Sequence, residues 1–318
     1  MHRHVSAIML AGTILPTPFQ EALGLPMLCL PIGSSGSVLD AWRRVLGAMT
    51  GMERVQLVVR NAAELEHVSA VVQAGARRST GPTIETLRDP GAWRGVAGVL
   101  HDLTDELDDD AIVVLCEAHC YPPTTLEPIL AAMTEDVTGV VGTTDRGEPA
   151  GVYAFRRCAF DDVSDVGYCD LKEQLLPMLH AAGRKVLARS VSPRVQRMRD
   201  LESYLEAVRE SLGWSDERGA HLTRISPRAR VSSSAMVEGF CIVEPGAVIE
   251  DGAVLHDTVV LSGATVGGGA VVSRSVLGPM VRIKPRAQVV RKAIATPDDV
   301  MIDFLKLMET EAGSVPAA

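Results

Sequence analysis

No lysine occurs before Lys172 in this chain of 318 residues, although arginines are plentiful in that stretch. No apolar run approaches the roughly 20 residues of a membrane span, and the opening Met1-His2-Arg3-His4-Val5 leads straight into a strand-like segment. Neither a membrane segment nor a targeting leader is read, so a cytoplasmic protein is expected. Cysteines 29, 116, 120, 158, 169 and 241 lack the regular spacing of a disulfide framework, which makes reduced thiols the expectation. Positive charge is in deficit, with 31 Lys+Arg against 40 Asp+Glu and a net charge of −9. That balance argues against nucleic acid or an anionic membrane as the main partner.

What is present is a period of six. Ile225, Val231, Val237, Val243, Ile249, Leu255 and Leu261 recur at that spacing. Four residues after each comes a small or short residue: Ala229, Ala235, Cys241, Ala247, Ala253, Val259 and Thr265. The period suits neither an α-helix nor an isolated hairpin. It fits a solenoid whose coils each have three short strands, with aliphatic residues stacked inside and small ones at the corners. Gly246, Gly252 and Gly263 mark corners that need unusual backbone angles. The pattern slips by a residue and resumes at Leu277, Ile283 and Val289, predicting a left-handed parallel β-helix.

The preceding residues alternate strand-like and helix-like segments, the mark of an α/β sheet. Strands are predicted at 5–10, 54–60, 111–116, 137–143 and 151–155, and helices at 37–52, 92–107, 124–133, 170–182 and 200–212. Thr296-Pro297-Asp298-Asp299 reads as a helix start. The expected domains are an α/β domain over 1–217, a β-helix over 218–294 and a terminal helix and tail over 295–318.

Several segments, taken in order, resemble the sugar-phosphate nucleotidyltransferases, in particular the mannose-1-phosphate guanylyltransferase-like branch with a C-terminal left-handed β-helix. They are Leu10-Ala11-Gly12, Leu25-Pro26-Met27-Leu28-Cys29-Leu30-Pro31-Ile32-Gly33, Gly95-Val96-Ala97-Gly98-Val99-Leu100 and Pro149-Ala150-Gly151-Val152-Tyr153-Ala154-Phe155. Residues 171–179 and 200–207 continue the match, which thus covers nearly the whole chain. The resemblance implies a Rossmann-like, GT-A-like α/β domain that joins a sugar 1-phosphate to a nucleoside triphosphate with release of pyrophosphate. It also implies Mg²⁺ if the chain is active, and Leu10, Ala11, Gly12, Gly95, Ala97 and Gly98 as the nucleotide-binding set.

The catalytic positions that the resemblance implies are not kept. The phosphate loop reads Thr13-Ile14-Leu15-Pro16-Thr17, without glycine, and Pro16 has no N–H to donate. Thr17 stands where the family's arginine is expected and Met27 where its lysine is expected. Ala118 takes the place of the first magnesium-binding aspartate, with Glu117 next to it as a substitute, and Arg197 takes the place of the second. The sugar clamp is shortened to Thr144-Asp145-Arg146-Gly147-Glu148-Pro149 and holds no lysine. Phosphoryl chemistry of this kind rests on positioning and charge neutralisation. The expectation is therefore a lapsed enzyme with no catalytic residue. It would act as a regulatory or assembly paralogue that forms homo- or hetero-oligomers through the β-helix and binds a nucleotide or nucleotide-sugar.

Two other functions stay open. One is an active transferase with relocated groups, using Glu117 for metal and Arg43, Arg44 or Arg94 for phosphate. The other is an acyltransferase on the β-helix, for which only His256 speaks. Cys116-Glu117-Ala118-His119-Cys120 has the look of a metal cluster, but thiols do not suit Mg²⁺. Buried thiols beside a turn histidine are expected there, and no metal site is assigned. Arg282, Lys284, Arg286, Arg291 and Lys292 read as a solvated basic rim, residues 105–110 as an acidic turn, and Trp42, Trp93 and Trp214 as packing residues.

Overall fold

A computed structural model describes residues 4–11, 17–33, 36–76, 82–89, 93–213 and 222–295. The expected helix after residue 295, Gly12 with the loop behind it, and Trp214 lie outside the described residues. The chain divides by contact into two compact units. One comprises Met1–Gly12, Trp42–Ser69 and Arg78–Val195, the other Thr13–Ala41, Ala70–Arg77 and Gln196–Ala318.

In chain order the elements before the solenoid begin with β1 (Val5–Leu10), α1 (Pro18–Leu23), α2 (Val38–Gly47), β2 (Met52–Val59), α3 (Ala62–Ala76), β3 (Ile84–Arg88) and α4 (Gly95–Thr104). They continue with β4 (Ile112–Glu117), α5 (Glu127–Ala132), β5 (Gly139–Thr144), β6 (Pro149–Arg156), α6 (Leu176–Ala181), β7 (Val186–Ser192) and α7 (Leu201–Ser211). The first unit is built on a mixed sheet of order β3-β2-β1-β4-β6-β5-β7. The strands β3, β2, β1 and β4 run parallel, while β6 is antiparallel to both β4 and β5. Runs such as Ile112-Val113-Val114-Leu115 are buried throughout, as expected of strands covered on both faces. Ile8, Val113, Leu115, Tyr153 and Phe155 pack with Ala97 and Leu100 of α4 and with Leu171 and Leu175.

Three expectations change in this unit. The predicted helix at 170–182 opens as a π-helical turn, Leu171–Leu175, before α6. Trp93 is a turn residue with φ 82° and is 74% exposed, so it is not a packing residue. The elements α3, β3 and β7 had no counterpart in the sequence reading. The acidic run at 105–110 has an organiser, because Arg157 pairs with Asp105, Asp109 and Asp161.

In the second unit, the strands from Thr223 to Ile294 stack into three parallel sheets of five, four and four strands, giving the three faces of a β-helix. Its core is a column of aliphatic side chains, including Val243, Ile249, Leu255, Val260, Val266 and Val272. The register departs from the expected one. Leu255 pairs with Val272 and Val272 with Val289, so the coil repeats every seventeen residues after a first coil of eighteen in which Val237 pairs with Leu255. The step from Leu255 to the next core residue is five, making Val260 the fully buried core residue and Leu261 its neighbour. At the shifted corners the buried Thr258 and Ala264 take the places expected of Val259 and Thr265, and the buried Ser275 repeats Thr258 one coil on. The shortened corner recurs with a left-handed residue each time: Asp257 (φ 50°), Arg274 (φ 47°) and Arg291 (φ 51°). Gly246, Gly252 and Gly263 have φ of 74°, 66° and 70°, as corners of this type require.

Candidate functional site

Within the first unit the sheet order reverses between β1 and β4. The connections leaving the carboxyl ends of two such strands diverge and open a crevice, the usual ligand site of an open α/β sheet. Leu10 and Glu117 pair across this point, and the Ala118 N–H donates to Leu10 O at 3.0 Å. The chain then turns tightly, with the Cys120 N–H donating to Glu117 O at 2.9 Å. The buried Trp42 indole Nε1 donates to Cys120 O at 3.1 Å and anchors the turn. Gly151 of β6 faces it with φ 76°, and a Cβ there would stand 2.7 Å from Cys120 Sγ and 3.3 Å from Glu117 Cβ.

Glu117 is the centre of this site. Its Oε1 accepts from Tyr153 Oη at 3.1 Å and from Lys172 Nζ at 3.1 Å. Its Oε2 lies 3.8 Å from His119 Nε2. The Lys172 ammonium also stands 5.8 Å from the centroid of the Tyr153 ring. Glu117 is mostly covered, its side chain 17% exposed, whereas that of Lys172 is 49% exposed. A pair with one partner this open contributes about 1 kcal/mol or less to stability. It nevertheless places a fixed positive charge on the carboxylate.

The route that delivers Lys172 runs through backbone contacts. Asp170 caps the π-helical turn, its carboxylate accepting from the N–H groups of Lys172 at 2.7 Å and Glu173 at 2.8 Å. Turns of this type are frequent at functional sites. The preceding Cys169 donates to Arg94 O at 2.8 Å and accepts from the Ala97 N–H at 3.1 Å. Gly95 lies so close that a Cβ would fall 2.4 Å from Cys169 O, which accounts for glycine at that position. The Arg94 side chain folds over Gly98, forks onto Asp102 at 2.8 and 2.7 Å, and donates to Gly167 O at 2.8 Å. The hydrogen bond from Arg94 holds the Asp102 carboxyl below the usual carboxylate range. Burial pushes the Cys116 thiol well above its ordinary value, so Cys116 stays protonated inside the sheet.

Residues 221–306, less than a third of the chain, match the family model described as the GMPPB C-terminal domain. For that part of the chain, the match supports a mannose-1-phosphate guanylyltransferase-like family with a C-terminal β-helix. No curated protein matches the chain at a significant level.

The positions that the resemblance marks as nucleotide-binding or catalytic are placed as follows. Leu10, Ala11, Gly95, Ala97, Gly98, Glu117 and Ala118 all lie in the first unit, and Ala118 is fully buried. Thr17, Met27 and Arg197 lie in the second. Thr17 is the N-cap of α1, in a capping box with Gln20, so its hydroxyl serves a helix end. Met27 is fully buried in a short 3-10 turn, Met27–Cys29. The segment around it is stapled within its own unit, where Tyr204 Oη donates to Pro31 O at 2.6 Å and the Gly33 N–H to Ser211 Oγ at 2.9 Å. Burial pushes the nearby Cys29 thiol up to about 12. The shortened clamp is the tight β5–β6 hairpin, closed by the Thr144 N–H donating to Glu148 O at 2.7 Å. Of the arginines considered for phosphate, Arg43 is buried and Arg94 is committed to Asp102. His256 is exposed on a corner, 3.4 Å from Asp257.

Lys172 is what the sequence reading missed. The lack of lysine in the first half suggested a site without one, yet the π-helical turn brings this lysine back to the switch point. Its place just after the cap-forming Asp170 was the available signal. Mg²⁺ prefers a near-octahedral set of oxygen donors. Here one carboxylate stands with an imidazole and a thiol, one of its oxygens already paired with an ammonium, and the set does not fit that ion.

Proposed function

We propose that this is a guanylyltransferase-like protein that no longer transfers nucleotidyl groups. It works as an oligomeric regulatory or assembly paralogue that assembles through its β-helix and retains affinity for a nucleotide or nucleotide-sugar. One observation carries the reading. The carboxylate at the sheet's switch point is neutralised by the protein's own Lys172, beside a buried Ala118. Losing the metal ligands and phosphate donors together would remove several kcal/mol of transition-state stabilisation, about 3–4 for a single well-placed donor.

Lys172 also favours a second reading, in which it is the relocated phosphate-holding cation of an active transferase. Both are tested by pyrophosphate release across a panel of nucleoside triphosphates and sugar 1-phosphates, mannose and glucose first. The lapsed protein gives a blank panel and binds nucleotide-sugar with an affinity independent of Mg²⁺. Turnover that falls on Glu117→Gln and Lys172→Met would overturn the first reading in favour of the second.

A further inference from the structure

The end of β4 and the turn after it bring three ligand-bearing side chains together. One atom each from Glu117, His119 and Cys120 lie within 4.8 Å of one another. We propose that Glu117, His119 and Cys120 form a binding site for a zinc-class divalent ion, with Tyr153 and Lys172 holding the carboxylate from its far side.

The donor set selects the ion. A thiolate, an imidazole and a carboxylate are the ligands of zinc and its neighbours, whereas Mg²⁺ and Ca²⁺ take oxygen alone. Three protein ligands leave a fourth position for water or a ligand. Bond lengths of about 2.0–2.3 Å put tetrahedral ligand atoms roughly 3.3–3.6 Å apart. The 3.8 Å between His119 Nε2 and Glu117 Oε2 is near that figure already, and closing the set from 4.8 Å needs movements of about an ångström.

The surroundings suit the purpose. The two oxygens of Glu117 are divided, with Oε1 held by Tyr153 and Lys172 and Oε2 turned to His119. Outer partners that orient a ligand in this way are the usual second layer of a metal site. Gly151 leaves the volume that Cys120 Sγ occupies, since a Cβ there would stand at 2.7 Å. The Trp42 hydrogen bond to Cys120 O fixes the backbone of the ligand turn. Glu117 and His119 are 17% and 18% exposed, so solvent reaches two of the three ligands, while Cys120 is buried. Binding would convert the Cys120 thiol to a metal-bound thiolate and release its proton to solvent. The proposal does not rest on the nucleotide reading, and either could fail without the other.

Cobalt(II) is the probe, because thiolate ligation gives it a near-ultraviolet charge-transfer band and tetrahedral geometry gives it intense visible bands. The full-length protein, stripped with chelator and dialysed, is titrated with Co²⁺ and then with Zn²⁺ in competition. One equivalent should bind with both sets of bands, and Zn²⁺ should displace it. Cys120→Ser should abolish the charge-transfer band, Cys158→Ser should leave it intact, and Tyr153→Phe should weaken binding about 10–100-fold. His119→Ala, at a partly exposed position, should keep the band but bind more weakly still, and it keeps the test sharp if Cys120→Ser does not fold. Absence of bound Co²⁺, a band that survives in Cys120→Ser, or unchanged affinity in His119→Ala would each overturn the proposal.

Discussion

Placing a lysine at Met27, where the resemblance implies one, should cost stability and bring no activity. Met27 has no accessible surface in a segment whose neighbours Leu28, Leu30 and Ile32 are equally buried. A lysine there keeps its charge only if it reaches an anion or water. Otherwise it gives up its proton. Depressing its pKa from about 10.4 to below pH 7.4 costs about 4 kcal/mol at that pH, at 1.36 kcal/mol per unit. That is a large share of the roughly 5–15 kcal/mol that holds a typical domain together. The sign of the pH dependence follows. The folded-state pKa is lowered, so the penalty is greatest at low pH and disappears as pH rises through the unfolded value near 10.4. Urea unfolding at pH 7.5, 8.5 and 9.5 should therefore show the gap to the wild type closing by about 1.4 kcal/mol per pH unit. Met27→Leu, which conserves volume, should lose less than about 1.5 kcal/mol at every pH. A small, pH-independent loss in Met27→Lys would refute the reasoning and show that the side chain reaches a solvated or anionic pocket.

In the solenoid, Leu255→Ala removes a fully buried core side chain and should cost about 2–5 kcal/mol in urea unfolding, whereas a loss below 1 kcal/mol would mean the column collapses onto the gap. Arg274→Gly relieves a left-handed residue at φ 47° but loses an exposed pair with Glu202. Relief of about 1–2 kcal/mol against a pair worth about 0–1 kcal/mol predicts a variant at least as stable as the wild type, and a clear loss would show that the pair matters more. Arg94→Met removes the main cause of the lowered Asp102 pKa. That contribution is present above the unfolded carboxylate value and lost as pH falls through the folded one, so the deficit in Tm should be full at pH 7 and shrink on acidification. A deficit that persisted unchanged at pH 3 would point to packing instead.

The parts of the fold legible in the sequence were those that repeat or are buried on both sides. The six-residue period announced the β-helix, and unbroken runs such as residues 112–115 announced the central strands. The strands that escaped notice, β3 and β7, lie at the two edges of the sheet and carry exposed polar residues such as Glu85, Arg189 and Ser190. An edge strand need not alternate, so it leaves little pattern to read. The solenoid register failed where a seventeen-residue coil mimics an eighteen-residue one until the missing residue accumulates. At the candidate site Glu117 was visible as a neighbour of the expected position. Lys172 was not, because fifty-five residues separate the two and only the folded chain brings them together. His119 and Cys120 were noticed as a cluster, but spacing alone does not show that one tight turn gathers three ligand atoms.

The seventeen-residue coil makes the solenoid modular. Each coil adds one strand to each of the three faces, about 4.8 Å of height, and ends on the same left-handed corner that starts the next. Duplicating or deleting one such unit, residues 254–270 for example, would leave the cross-section unchanged and every remaining core residue above its old kind of neighbour. Length could thus vary independently of fold, with the terminal basic rim simply carried further from or nearer to the first coil. A removal of six or eighteen residues would instead throw the corner column out of line. The unit of tolerated change in this half of the molecule is the coil.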